Sequence, residues 1–406
     1  MKIKQCRSCK SIHLIKVFNL GNMVLTGVFP SSQKEKISKG LLSMVFCKNC
    51  KLLQLENSFD PSKMYGNNHG YMSSLNSSMV RHLKLKSKRI KQIVNLNKRD
   101  IICDIGSNDG TFLSFFSKKY TLIGIDPTIN KLSKYYRKDI IKVSDFFSKD
   151  KLRKITNKKF KIFTSISMFY DLEDPVEFAK EIFELIDDNG IWHLEQSYMP
   201  SMIKNNSYDT ICHEHLEYYS LKSIKYIFDK VGFKIIDLDF NDINGGSFSI
   251  TVAKQKSKFK EVKEIINWLL EREKIFKYNE ILTFKNFYKN ILKHRNIFQK
   301  LLKQLRKNNK KIIGYGASTK GNVILQFCGI NSKLLPFICD VNKYKFGKYT
   351  PGSKIKIISE HQAKKFKPDY YIILPWHFKN FILNKESKFK LEGGKFILPL
   401  PDIEII

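Results

Sequence analysis

The sequence predicts an α/β chain: an N-terminal zinc-ribbon lobe, a Rossmann-like domain, a helical connector and a second Rossmann-like α/β domain. Three observations carry that expectation. Two Cys-x-x-Cys pairs stand near the start, two apolar strands run into glycine turns followed by helices, and a stretch free of Gly and Pro lies between them. Length permits the plan, since 406 residues allow several buried cores. With 42% hydrophobic and 27% charged residues, the chain has enough apolar surface to offset its conformational entropy, unlike a disordered polymer.

A formal net charge of +34, from 72 Lys and Arg against 38 Asp and Glu, invites a nucleic-acid or anionic-membrane partner. Only 9 of those 72 are arginine, the residue whose guanidinium fork reads phosphates and bases. The lysines are interleaved with Ile, Asn and Phe along the whole chain, which marks compositional bias rather than a binding patch. Neither nucleic acid nor a membrane is therefore expected as a partner, and a zinc-ribbon nucleic-acid module stays as the non-enzymatic alternative. No apolar run approaches the ~20 residues that cross a bilayer, and no signal-peptide core follows Met1. A cytoplasmic protein is expected. In that reducing setting eight cysteines are too few for a disulfide framework, and clustered pairs point to metal.

Cys6-Arg7-Ser8-Cys9 and Cys47-Lys48-Asn49-Cys50 present two thiolates each, and four sulfurs close a tetrahedral Zn2+ shell. Such a shell leaves no position for water or substrate, so the ion is structural and folds a lobe over residues 1–76. From Ile101 the pattern changes. Ile101 to Ile105 is an apolar strand containing Asp104, Gly106 to Gly110 is a turn, Thr111 to Leu113 opens a helix, and Thr121 to Ile125 is a second strand ending at Asp126. Runs at Ile162 to Ser165, Ile191 to Leu194 and Phe248 to Val252 add strands, with helical spacing at Val176 to Leu185, and complete a doubly wound domain over 77–254. Residues 255–309 pair apolar positions at helical intervals and read as a connector. Lys311 to Gly321 repeats the strand, turn and helix, and 310–406 forms the last domain.

An acid at the end of the first strand, a glycine turn, and an acid ending the next strand are how a Rossmann-type site holds an adenosine. Gly106 and Gly110 let the ligand approach the backbone beside Asn108, and Asp126 would accept the ribose hydroxyls. The spacing Asp104-x-Gly106-x-x-x-Gly110 departs from G-x-G-x-x-G. An acid there suits a cationic amino-acid tail better than a pyrophosphate, which favours S-adenosylmethionine over a nicotinamide cofactor. Asp145, before Phe146 and Phe147, fits the edge of an adenine.

Tyr208 to Tyr219 concentrates imidazole, carboxylate and phenol more densely than any other stretch. His213, Glu214 and His215 are suited to acid–base work, because imidazole beside carboxylate can take a weakly acidic proton. Glu217 stands where a zinc protease would need its second histidine. Cys212, His213 and His215 as a metal set, and a buried structural network, remain open beside the acid–base reading. The Gly314 to Gly321 loop matches neither G-x-G-x-x-G nor a Walker loop. Its hydroxyls and Lys320 leave two roles, a nest for a nucleotide diphosphate or a contact between domains.

Taken in order, these segments resemble the S-adenosylmethionine-dependent sugar C-methyltransferases over nearly the whole chain. The paired knuckles, Gly70 to Met79, Asp104 to Gly110, Ser167 to Pro175, Glu195 to Pro200, Tyr208 to Tyr219, Asn244 to Ser247 and Gly314 to Asn322 carry the likeness. The resemblance implies a zinc lobe, a central class I methyltransferase domain and a C-terminal α/β domain. It also implies methylation of a carbon beside a ketone in a nucleotide-activated deoxyhexulose. His215, assisted by Glu214, would take the α-proton, and Tyr71 and Ser74 would help enclose the cofactor or its reacting methyl group. Cys212 stands where antibiotic-type members usually have a tyrosine, and it offers no comparable phenolic donor. O- or N-methylation of a sugar nucleotide is the enzymatic alternative.

Overall fold

The computed structural model describes residues 1–64 and 71–406; Gly70, which opens one of the resembling segments, lies outside them. Strands are numbered in chain order. In the N-terminal lobe β1 (Leu14–Val24), β2 (Lys39–Cys47) and β3 (Leu53–Leu55) pair antiparallel. The fourth strand of that sheet is β9 (Glu217–Tyr218), which comes from far downstream and sets Tyr218 opposite Leu53 and Glu217 opposite Gln54. Nothing in the local pattern of the lobe announces this partner. The lobe therefore does not close on its own residues.

The central sheet holds β4 (Ile101–Ile105), β5 (Thr121–Ile125), β6 (Ile141–Val143), β7 (Phe160–Ile166), β8 (Ile186–Ser197), β10 (Phe233–Asn241) and β11 (Ser247–Lys254). Their order is β6-β5-β4-β7-β8-β11-β10, parallel except that β11 runs antiparallel to both its neighbours. All five residues of β4 are buried, as expected where helices cover both faces of a parallel sheet. Chain order reverses between β4 and β7, so a ligand crevice opens beyond their carboxyl ends. Helix Pro175–Leu185 begins where the Asp174 side chain accepts the Glu177 amide, with proline in its first turn. Asn76 caps helix Ser77–Ile93 in the same manner.

The last sheet repeats the doubly wound plan with β12 (Ile312–Tyr315), β13 (Phe337–Asp340), β14 (Lys356–Ser359), β15 (Tyr370–Ile373), β16 (Lys395–Leu398) and β17 (Glu404–Ile405), ordered β14-β13-β12-β15-β16-β17. Between the two large sheets, helices Lys263–Ile275 and Ile281–Lys307 are more than a connector. Phe284 and Phe287 of the longer helix pack on Phe46 and Phe18 of the lobe, while Leu302 and Leu305 join the core that includes Ile312 and Ile338. One apolar cluster thus binds lobe, helix and C-terminal sheet.

At the tip of the lobe the Sγ atoms of Cys6 and Cys50 lie 3.6 Å apart and those of Cys9 and Cys47 3.5 Å apart, all four within 4.8 Å of one another. Sulfurs bound at about 2.3 Å around a tetrahedral zinc sit about 3.8 Å from each other, so the cluster has the dimensions of that shell. Gln54 of β3 places its Nε2 3.1 Å from the Cys6 sulfur, and its Oε1 accepts the Arg7 amide at 3.1 Å. Arg7, 3% exposed, in turn donates to the Leu55 carbonyl at 2.6 Å. The cysteine cluster therefore organises the strand to which β9 is paired. Chelation is expected to remove about one zinc per chain and to unfold the lobe, since a structural ion's binding energy is folding energy. Limited proteolysis should then cut both in the lobe and within residues 208–219; protection of the latter after zinc loss would refute the coupling.

Candidate active site

Asp104, 3% exposed, ends its strand with Oδ1 accepting the Thr164 hydroxyl at 2.6 Å from the neighbouring β7. Burial, with a smaller contribution from Asp126, pushes its carboxyl up to about 7. The turn that follows is held open by geometry. Gly106 and Gly110 have φ of 75° and 74°, and a Cβ on Gly110 would lie 2.7 Å from the Tyr136 ring. Asn108 donates its amide to Asp126 Oδ2 at 2.9 Å, while Asp126 Oδ1 accepts the amide and hydroxyl of Thr128. Asp145 lies just beyond β6 on the same edge, bonded to the Phe146 amide and ion-paired with Lys151 at 2.7 Å.

The segment before helix Ser77–Ile93 folds over this turn. Asn108 Oδ1 accepts the Ser73 amide at 3.0 Å and its Nδ2 donates to the Tyr71 carbonyl at 3.4 Å; Asp109 accepts the Ser74 amide at 2.9 Å. Tyr71 consequently stands at the rim of a cleft lined also by Thr128, Lys131, Asn342 and Tyr344, the last two from the C-terminal domain. Asp109 and Thr164 were not foreseen as parts of the site. Asp109 shared the motif with its neighbours and could have been found there, whereas Thr164 carries no local signal.

The expected imidazoles part company. His213 is fully buried and points into the lobe, with Nε2 3.1 Å from the Met23 carbonyl and its ring edge-on to Phe59. His215 turns the other way. Its Nδ1–H donates to the Thr210 carbonyl at 2.7 Å, its ring lies 4.2 Å from that of Tyr170, and Nε2 has no hydrogen-bond partner among the described residues. That bond fixes the tautomer with its lone pair on Nε2. Burial, aided by the charge of Lys320, pushes the imidazole down to about 3, so it is neutral. Cys212 is buried with its thiol beside Glu214, and burial raises it well above the ordinary thiol range. The alternative metal set Cys212, His213 and His215 is not assembled; among the described residues only the four lobe cysteines converge as metal ligands.

Glu214 does not touch the His215 ring. Its Oε2 accepts the Thr26 hydroxyl at 3.4 Å in the lobe, and burial raises its carboxyl above the usual range. Gly27 passes so close that a Cβ there would sit 2.6 Å from Glu214 Oε1 and 3.7 Å from Thr319 Oγ1. One turn, Ser167 to Tyr170, connects His215 with the Asp104 turn. A Cβ on Gly106 would touch Met168, Tyr170 stands two residues further along against His215, and Ser167 Oγ accepts from Asn244 Nδ2 at 3.2 Å. The Gly314 to Gly321 loop reaches the same neighbourhood from the C-terminal domain, where Lys320 bonds to Asn244 and Thr210. Its Ala317 amide is taken by Asp340 Oδ2 at 2.8 Å and its Gly321 amide by Ser318 Oγ at 3.0 Å, so these donors have partners within the chain.

Three family models match successive stretches of the chain. A zinc binding domain model matches residues 6–65, a methyltransferase domain model 79–238, and the model of the C-methyltransferase C-terminal domain 242–401. C-methyltransferase NovU of Streptomyces niveus is 27% identical over 409 aligned positions, covering 100% of this chain and 97% of that protein. The plantazolicin methyltransferase BpumL, solved with a substrate analogue and SAH, aligns with 45% of this chain and 88% of its own at 12% identity and a TM-score of 0.36. The YcgJ protein from Bacillus subtilis aligns with 44% of this chain and 99% of its own at 14% identity and a TM-score of 0.36. With models of the zinc binding domain, the methyltransferase domain and the C-methyltransferase C-terminal domain matching one chain in turn, this protein is an S-adenosylmethionine-dependent C-methyltransferase.

Proposed function

We propose that the chain methylates a carbon beside the carbonyl group of a nucleotide-activated deoxyketosugar, with His215 as the base. The observation that carries this reading is the His215 tautomer: Nδ1 is committed to the Thr210 carbonyl, leaving the Nε2 lone pair without a partner among the described residues. Such a nitrogen takes the α-proton, the C–H electron pair passes into an enolate, and the enolate carbon attacks the methyl group that the sulfonium of S-adenosylmethionine supplies. The resemblance to sugar C-methyltransferases contributes the substrate class. Glu214, bonded to the lobe rather than to His215, acts by fixing the segment on which the base stands.

The cofactor side follows from the acids at the strand ends. Asp104 faces the positive end of the ligand, Asp126 retains a lone pair on Oδ2 for a ribose hydroxyl, and Asp145 meets the adenine. Asn108, Gly106 and Gly110 form the floor on which the ligand lies, while Tyr71 and Ser74 lie on the segment that folds over the same turn.

Substitution His215→Ala should leave S-adenosylmethionine affinity within about twofold while reducing deuterium uptake at the substrate α-carbon by ~10²–10⁴-fold. Proton NMR of nucleoside-diphosphate 4-keto-6-deoxyhexoses in heavy water reads the exchange, and uptake at the normal rate would remove His215 as the base. The methylated product should show a new carbon-bound methyl signal; a methoxy or N-methyl signal would select the alternative chemistry.

Asp104 sets a second expectation. Its free-enzyme carboxyl, raised by burial, must lose a proton to face a cationic ligand, so binding below about pH 7 releases protons. Affinity should therefore fall as pH drops through that value, approaching tenfold per pH unit, and level off above it. Calorimetry in buffers of different ionisation enthalpy measures both effects. Asp104→Asn should abolish the pH dependence, and a flat affinity between about pH 6 and 8 in the unsubstituted protein, about one unit either side of the raised carboxyl, would contradict it.

A further inference from the structure

Lys320 begins helix Thr319–Phe327 of the C-terminal domain, yet its side chain leaves that domain. It is 8% exposed, and its Nζ donates to the Asn244 carbonyl at 2.7 Å and the Thr210 hydroxyl at 3.4 Å. Thr210 is also the residue whose carbonyl holds His215. Base and ammonium are thus clamped to the two ends of one residue. An ammonium has three N–H donors, and two are committed here, so one remains to point into the crevice.

Burial lowers the Lys320 ammonium below the usual lysine range, the charge of Asp209 opposes that shift, and no carboxylate neutralises it by contact. Asp209, the nearest carboxylate in the field of Lys320, gives Oδ2 to the Trp376 indole at 2.9 Å and forms no ion pair with the lysine among the described residues. His377 is half-buried and its imidazole is held well below its usual range by desolvation and by the same lysine. His215 is likewise kept neutral by burial and Lys320, and Cys212 is a protonated thiol. A buried cation with carbonyl and hydroxyl ligands and a spare donor is what a developing oxyanion requires.

We propose that Lys320 is the electrophilic catalytic residue of the methyl transfer, donating its third N–H to the substrate carbonyl oxygen. This rests on the enolate reading above. When the α C–H bond breaks, its proton goes to His215 Nε2 and its electron pair moves through the new C=C bond onto that oxygen. Lys320 stays protonated throughout. The electron pair returns as the C–C bond to the methyl group forms and the methyl–sulfur bond breaks, leaving its pair on sulfur. Cys212 cannot take over the donation, because its thiol lies buried against Glu214. The Gly314 to Gly321 loop then has a purpose other than cradling phosphate: it carries Lys320 across to the methyltransferase domain.

The test uses the full-length, zinc-loaded protein with nucleoside-diphosphate 4-keto-6-deoxyhexoses in heavy water, without S-adenosylmethionine. Lys320→Met should slow α-deuterium uptake by ~10²–10³-fold, the usual loss for one oxyanion donor, with cofactor affinity within about twofold. Lys320→Arg should recover part of the rate and Lys320→Gln less; if the methionine variant does not fold, this pair decides. Exchange at the normal rate in Lys320→Met, or Gln equal to the unsubstituted protein, overturns the assignment while leaving His215 as the base. Absence of exchange in the unsubstituted protein overturns the keto-sugar reading and this proposal together. Borohydride treatment should give no substrate adduct at Lys320; a reduced adduct would show that the amine bonds covalently and overturn the charge-donor role.

Discussion

The structure depends on burying a polar segment, Tyr208 to Tyr219, that no single domain could satisfy. Buried polar groups must find partners or cost several kcal/mol each. Here the partners come from everywhere else in the chain. Tyr208 reaches His294 of the long helix and Cys328 of the C-terminal domain; Asp209 accepts Trp376; Thr210 binds Lys320; His213 and Glu214 bond to the lobe at Met23 and Thr26. Glu217 and Tyr218 complete the lobe's sheet. His215, in the middle, bonds through one nitrogen among the described residues, and a segment so constrained holds its imidazole in one orientation.

This arrangement gives the zinc lobe a reason to exist in an enzyme whose cofactor lies elsewhere. A three-stranded antiparallel sheet with one short strand is marginal by itself. Four cysteines fix its tip, Gln54 joins the cluster to β3, and β3 offers the hydrogen-bonding edge on which β9 is laid. The cysteine cluster thus ties down a strand two residues from His215.

Much of this architecture is legible in the sequence, because its signals are local. Ile101 to Ile105 running into Gly106 and Gly110 announces a strand and turn; Cys-x-x-Cys twice announces a metal; Asp126 closes the second strand where a ribose would sit. The site is less legible, since it is made by pairings distant in sequence. His213 and His215 look equivalent on paper, and each bonds one ring nitrogen to a carbonyl; only the positions of Met23 and Thr210 separate the ring turned into the lobe from the one laid against Tyr170. Glu214 looks like the partner of His215, but Thr26 and the backbone of Gly27 claim it. Lys320 reads as an anion ligand at a helix start until Asn244 and Thr210 are seen to receive it.

The chain's charge makes the same point in electrostatic terms. A net +34 is the most conspicuous number in the sequence, yet most lysines are exposed, where their fields are screened within about 8–10 Å in physiological salt. Burial decides which ones matter. Lys86, 5% exposed, is spent within the fold: it pairs with Glu195 at 2.9 Å and Asp239 at 3.4 Å and bonds to Ser249 at 2.6 Å. Lys320 is buried to a similar degree, but its direct ligands are a neutral carbonyl and a neutral hydroxyl. Two buried ammonium groups of similar depth therefore differ in kind. The first has its charge cancelled by carboxylates in contact, while the second has only neutral direct ligands and lies beside an imidazole kept neutral by burial and, to a smaller extent, by this lysine.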